Sequence, residues 1–149
     1  MMSKAPSIDV HSHFFPRTFL DLINKQGDRY SVSCSFENSA GPVIVMNGHS
    51  LLPLEQRFID LEARLHSMDD QGVDMHALSL TMPMVYWASP DLSRQLSEAF
   101  NVACVAAHEQ YPDRFVGLAM LPMQEPGLAL AELERVADHP AIRGVYMAT

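Results

Sequence analysis

An α/β fold with parallel strands is predicted for this 149-residue chain by two observations. Segments of two-residue hydrophobic alternation exchange regularly with segments of 3.6-residue periodicity, and the changes fall at Pro, Gly or helix-capping residues. With one hairpin set aside, the order is β-α-β-α-β-α-β, and strands alternating with helices pair in parallel through right-handed crossovers. A third observation sets the scale: 48% of residues are hydrophobic and 19% charged, enough for the core of one domain. Two closures fit, an open doubly wound sheet or the first half of a (β/α)8 barrel, which needs about 250 residues and eight strands in full.

Residues 7–12 read as a short strand in which Ile8 and Val10 alternate with Asp9 and His11. Pro16 opens a helix over 17–25, with Phe19, Leu20 and Ile23 on one side. Tyr30, Val32, Cys34 and Phe36 alternate with polar residues. A turn at 38–41 and a returning strand at 43–46 then predict an antiparallel hairpin over 28–48, outside the β/α layers. Leu54, Phe58, Leu61, Leu65 and Met68 fall at helical spacing after Pro53, and Gly72 stands where a C-terminal cap belongs. A compact apolar strand over 74–80 follows. Ser89 and Pro90 then mark the N-cap and first position of a helix that runs to about 111. Residues 115–120 read as a third principal strand, 126–138 as a helix and 142–147 as a fourth strand, with no internal repeat and no linker.

Composition removes several function classes. Lys plus Arg number 10 against 18 Asp plus Glu, a formal charge of −8 without a basic run, which disfavours nucleic acid and anionic membrane. No apolar stretch approaches the ~20 residues that span a bilayer. Residues 1–7 lack the apolar region of a signal peptide, so the cytoplasm is the expected location. Cys34 and Cys104 form no Cys-x-x-Cys pair and read as small buried hydrophobes.

The chemistry concentrates at Ile8-Asp9-Val10-His11-Ser12-His13. Side chains alternate on a strand, so Asp9, His11 and His13 are expected on one face and Ile8, Val10 and Ser12 on the other, the apolar pair against helices. Two imidazoles at the C-terminal end of a parallel strand stand where such folds keep their active sites, and a divalent metal is the partner that satisfies both. Asp9 could orient a ligand histidine. An isolated His-x-His can also be a pair of hydrogen-bonded strand-end histidines. Among the remaining histidines, His76 reads as a satisfied core residue and His66, His108 and His139 as surface residues.

The run Ile8 to Pro16 resembles the opening of the amidohydrolase superfamily, in the branch that holds the aminocarboxymuconate-semialdehyde decarboxylases. Further similarity follows in order at Met68-Asp69-Asp70-Gln71-Gly72-Val73, Ala77-Leu78-Ser79, Tyr86-Trp87-Ala88, Asn101, residues 111–118, Leu121-Pro122-Met123-Gln124 and Arg143-Gly144-Val145. The resemblance implies that residues 1–149 are the N-terminal half, about four β/α units, of a TIM-type (β/α)8 barrel carrying a hairpin insertion over 28–53. It implies one divalent metal ion, zinc or else manganese, with His11 and His13 as its first two ligands; the family's third ligand and its catalytic His and Asp would lie beyond Thr149. Tyr86 and Trp87, after the second principal strand, and His49, after the hairpin, are the expected substrate contacts. The branch also grips a substrate carboxylate with an Arg beside its insertion. Residues 43–47 contain none, and Arg57, the nearest, falls on a predicted helix as a solvated side chain. With only Lys4 and Lys25 present, the carboxylated lysine of two-metal relatives has no counterpart.

The activity so implied is removal of CO2 from a small unsaturated or aromatic carboxylic acid. A hydrolase of an amide, ester or lactone is the alternative, since a metal-activated water can attack a carbonyl. A non-catalytic half-barrel fragment that assembles through its sheet edges is the second alternative. The expected partners are a small-molecule carboxylic acid and, as an assembly, a homodimer.

Overall fold

Strands and helices alternate along the chain as β1 (Ile8–His13), α1 (Arg17–Gln26), β2 (Val32–Ser35), β3 (Val43–Met46), β4 (His49–Ser50), α2 (Leu61–Gln71), β5 (Met75–Ser79), α3 (Pro90–Gln110), β6 (Phe115–Ala119), α4 (Pro126–Val136) and β7 (Ile142–Val145). The computed structural model describes residues 5–51 and 53–147. The leader reading of residues 1–4, Lys4 among them, lies outside these, as do Leu52 of the insertion and residues 148–149 of the domain. The principal sheet has the order β1-β5-β6-β7 with every pair parallel. A separate antiparallel sheet, β2-β3-β4, forms the insertion, so the hairpin gains a short third strand.

Capping chemistry sets the helix bounds. The Ser89 hydroxyl accepts from the Leu92 amide at the start of α3, with Pro90 in the first turn. Gly72 takes a left-handed conformation (φ 68°) and its N–H closes onto Asp69 and Met68 carbonyls. The sequence predicts that the helix before Gly72 begins near Leu54. Instead Asp60 caps α2 by accepting from the Ala63 amide (2.8 Å), and a 3-10 turn at Gln56–Phe58 precedes it. Leu54 and Phe58 therefore pack on the core from loop and turn, so helical spacing carried across a cap misplaces the boundary.

Tyr30 departs from the predicted strand in the same way. It ends a 3-10 turn, Ser31 adopts a left-handed φ of 58°, and pairing begins only at Val32 opposite Met46. Ile8 and Val10 are a larger correction: they are 52% and 68% exposed, not packed against helices. β1 is the outer strand of the sheet, and two of its residues, Val10 and His11, oppose the single Ala77 of β5, since Asp9 pairs with His76 but Ser12 with Leu78. This extra residue is a β-bulge, and it reverses the alternation on which the prediction rested.

The core lies between the sheet and its helices. Phe19, Leu20 and Ile23 of α1, Leu96, Phe100 and Cys104 of α3, and Phe115 of β6 are fully buried. Gly117 permits the close approach of α3 to β6: a Cβ there would lie 2.7 Å from Cys104 Cβ and 3.0 Å from Ile142 Cδ1. Gly117→Val is expected to cost about 3 kcal/mol, the upper part of the overpacking range, because Cys104 Cβ, fixed directly to the α3 backbone, cannot move aside. Urea unfolding monitored by circular dichroism checks this, and a loss below about 1 kcal/mol would contradict the close packing.

Candidate metal centre

His11 and His13 close β1 at the C-terminal end of the parallel sheet. Their ring centroids are 4.8 Å apart at an interplanar angle of 70°, near enough for one nitrogen of each to reach a common ion. The residue that orients His13 comes from the neighbouring strand. His13 Nδ1 lies 3.0 Å from Ser79 Oγ, and that hydroxyl donates to the Ser12 carbonyl at 3.3 Å. Ser79 Oγ thus accepts from His13 Nδ1–H, which leaves the Nε2 lone pair available for a metal. Burial, reinforced by His11 and the Arg64 guanidinium, lowers the His13 pKa and favours this neutral form. Among the described residues, no group of three or more His, Cys, Asp or Glu is placed to hold a metal ion. The two imidazoles fit as part of a set.

Behind the bulge lies a buried polar cluster. The Ser12 hydroxyl is 2.8 Å from His76 Nδ1, and Arg64 Nη1 donates to Ser12 Oγ and lies 3.2 Å from the same His76 nitrogen. Because Arg64 only donates, Ser12 must donate to His76 Nδ1, and His76 carries its proton on Nε2, 3.8 Å from Asp9 Oδ2. Asp9 therefore sits with Ser12 and His76, not beside the two imidazoles as alternation predicts. Its other oxygen accepts from the His11 backbone N–H (2.8 Å), so it braces the strand end without touching a ligand ring. Burial lowers the Arg64 pKa to about 10, still far above neutrality.

His76 is a core histidine as predicted and is hydrogen-bonded at Nδ1, but it is not fully satisfied: among the described residues its buried Nε2 has no hydrogen-bond partner, the Asp9 carboxylate standing 3.8 Å away. Burial, then the Arg64 charge, lowers the His76 pKa to about 4. The unfolded chain, near 6.5, binds a proton that the folded chain refuses, so stability is full above about pH 6.5 and falls as pH drops towards 4. Roughly 2–3 kcal/mol should be lost across that window. Urea unfolding of wild type and His76→Gln at pH 7 and 4.5 measures it, and equal pH dependence in both proteins would contradict this assignment.

Two clefts flank the histidines. One, of about 270 Å³, is lined by Asp9, His11, Ser12, His13, Arg57, Arg64 and His76 among others. The other, of about 380 Å³, runs from His13 past Phe15, Leu54 and Phe58 to Thr81 and Met82. Tyr86, Trp87 and His49 line neither. Trp87 donates to the Met84 carbonyl (3.0 Å) and meets Tyr30 edge-on at 5.8 Å, Tyr86 packs against the core, and His49 is exposed on β4. The loop after β5 reaches the cleft with Thr81 and Met82 instead. Arg57 lies in the 3-10 turn on the rim of the first cleft, paired with Glu55 at 2.9 Å, and not on a helix. Tyr146, 6.1 Å from the His13 ring, is a further neighbour that the sequence reading did not single out. His66 is exposed as expected, but His108 is half-buried with Nδ1 2.8 Å from the Phe115 carbonyl.

Four parallel strands with crossover helices, and two converging histidines at the mouth of the first strand, define half of a (β/α)8 barrel. The chain belongs to the amidohydrolase family, whose sequence profile matches residues 8–147. It is 28% identical over 142 residues to 2-amino-3-carboxymuconate-6-semialdehyde decarboxylase of Dictyostelium discoideum, covering 94% of this chain and 39% of that protein. It is 34% identical over 114 residues to a gamma-resorcylate decarboxylase of Rhizobium radiobacter, covering 74% of this chain and 34% of the relative. The crystal structure of 5-carboxyvanillate decarboxylase from Novosphingobium aromaticivorans, complexed with manganese and 4-hydroxy-3-methoxy-5-nitrobenzoic acid, superposes with a TM-score of 0.73. It is 23% identical, and the match covers 97% of this chain and 42% of that one. The chain thus spans about two fifths or less of the length of these relatives. Among the described residues no helix is long and apolar enough to cross a membrane.

Proposed function

We propose that residues 1–149 form the metal-binding half of a carboxy-lyase that acts on a small aromatic or unsaturated carboxylic acid, with 28–53 as an insertion beside the site. The observation that carries this reading is the His11–His13 pair, with His13 Nδ1 tied to Ser79 and Nε2 left open at the strand mouth. His11 and His13 would hold a divalent ion that would supply Lewis acidity and an activated water. Manganese in 5-carboxyvanillate decarboxylase supports a divalent ion; imidazole ligands suit zinc, whereas manganese prefers oxygen donors, so its binding would lean on the other members of the set.

The remaining roles belong to this chain's own side chains. Phe15, Leu54, Phe58 and Met82 give the second cleft an apolar wall suited to a ring or conjugated chain. Arg57, on the rim of the first cleft with the two histidines, offers a guanidinium for a substrate carboxylate. In the reaction the bond from carbon to the carboxylate breaks, CO2 leaves, and a proton takes its place on carbon. A basin of this kind also accepts an ester, amide or lactone, so the test must separate the two. The natural protein, supplied with manganese, is given carboxyl-13C-labelled hydroxybenzoic acids and matched aryl esters and lactones. Release of 13CO2 is the expected result. Hydrolysis without 13CO2 would select the hydrolase, and a defined oligomer without either activity would select the non-catalytic fragment.

A further inference from the structure

Arg64 is 3% exposed and makes no ion pair among the described residues. Placing a guanidinium on the sheet-facing side of a helix without a carboxylate is costly, and the residue one turn on, Met68, is the apolar side chain normally found there. The hydrogen bonds that offset the cost all go to one place. Nη2 donates to the His13 carbonyl, and Nη1 donates to the Ser12 hydroxyl and approaches His76 Nδ1 at 3.2 Å. These acceptors stand at the end of the bulge, where β1 has one residue more than β5 can pair. From the other side, Ser79 Oγ binds both the Ser12 carbonyl and His13 Nδ1.

We propose that Arg64 is the positioning residue of the histidine pair: from α2 its planar fork fixes the backbone of the bulged strand end, and so keeps the two imidazoles converging. This rests on the reading of His11 and His13 as metal ligands. Arg64 faces the back of the strand and touches neither ring, so it acts through the backbone at residues 12 and 13. A lysine keeps the charge but cannot span both acceptors as a fork.

The experiment uses the 149-residue protein as wild type, Arg64→Lys and Arg64→Met. Manganese binding is followed by electron paramagnetic resonance, and the imidazole N–H of His13 by NMR without metal. Both variants should bind manganese roughly 10–100-fold more weakly, the range for residues that orient ligands, with lysine recovering only part of the loss. Both should also lose the hydrogen-bonded His13 Nδ1–H signal while keeping native circular dichroism. Folded variants with lower thermal stability but unchanged manganese affinity and an unchanged His13 signal would reduce Arg64 to a packing role and overturn the proposal. Should wild type bind no manganese, the metal reading fails, and the His13 signal alone still decides whether Arg64 positions the ring. Should neither variant fold, the wild-type protein decides: slowly rotating, exchange-protected Arg64 guanidinium resonances support the clamp, and rapidly averaged ones overturn it.

Discussion

Divalent-metal affinity is expected to fall at least roughly 100-fold in His13→Ala, and by a similar factor in His11→Ala, since these two imidazoles are the donors the described residues bring together and neither alone holds the ion. Ser79→Ala should cost about 10-fold, because it frees the His13 ring without removing it. The His11 loss should separate from stability. His11 is exposed at the strand end, and surface substitutions of this kind stay within about 0.5 kcal/mol. Manganese titration followed by electron paramagnetic resonance, beside urea unfolding, reads both quantities. Retention of wild-type affinity in both histidine variants would show that the ion sits elsewhere.

The second large effect is structural. Asn101 is fully buried in α3; its Nδ2 donates to the Met120 carbonyl (2.9 Å) and to Glu132 Oε1 (2.6 Å), while Oδ1 accepts from the Met120 amide (2.8 Å). The side chain thereby gives Met120, just past β6, the pairing a further strand residue would give. Glu132, itself buried, keeps Arg135 at 2.7 Å as its other partner. Asn101→Leu keeps the branching at Cγ but orphans both backbone groups of Met120 and removes one bond from a buried carboxylate. Unfilled buried polar groups cost about 1–3 kcal/mol each, so a loss on the order of 3–5 kcal/mol is expected, a large part of a typical domain's stability. Urea unfolding measures it, and a loss under about 1 kcal/mol would mean that water or relaxation takes over these bonds.

The order of elements was legible because each period change coincides with a residue whose backbone chemistry is specific: Ser89 and Pro90 at the start of α3, Gly72 at the end of α2. The His-x-His was legible because its neighbours are apolar and its place in the α/β order is first. What escaped the sequence were features set by the partner strand. The bulge at residues 9–12 arises from pairing with β5, so Asp9 moves to the rear face and Ile8 and Val10 to solvent, although the alternation itself looked regular. Arg64 lies in a sequence with ordinary helical character, and nothing local distinguishes a buried guanidinium from a solvated one. Ser79 was visible as part of a strand end, but its role depends on which histidine the register sets opposite it. Tyr86 and Trp87 failed for a different reason: the loop after β5 turns within residues 81–84, so Thr81 and Met82 reach the cleft and the two aromatics pack behind it.

The most direct test is where an ion binds. Crystals of the protein soaked in zinc and measured on both sides of the zinc absorption edge should show one anomalous peak at the end of β1, about 2.0–2.1 Å from a nitrogen of His11 and a nitrogen of His13. Peaks only at other histidines, or separate ions on His11 and His13 with the rings turned apart, would contradict the account.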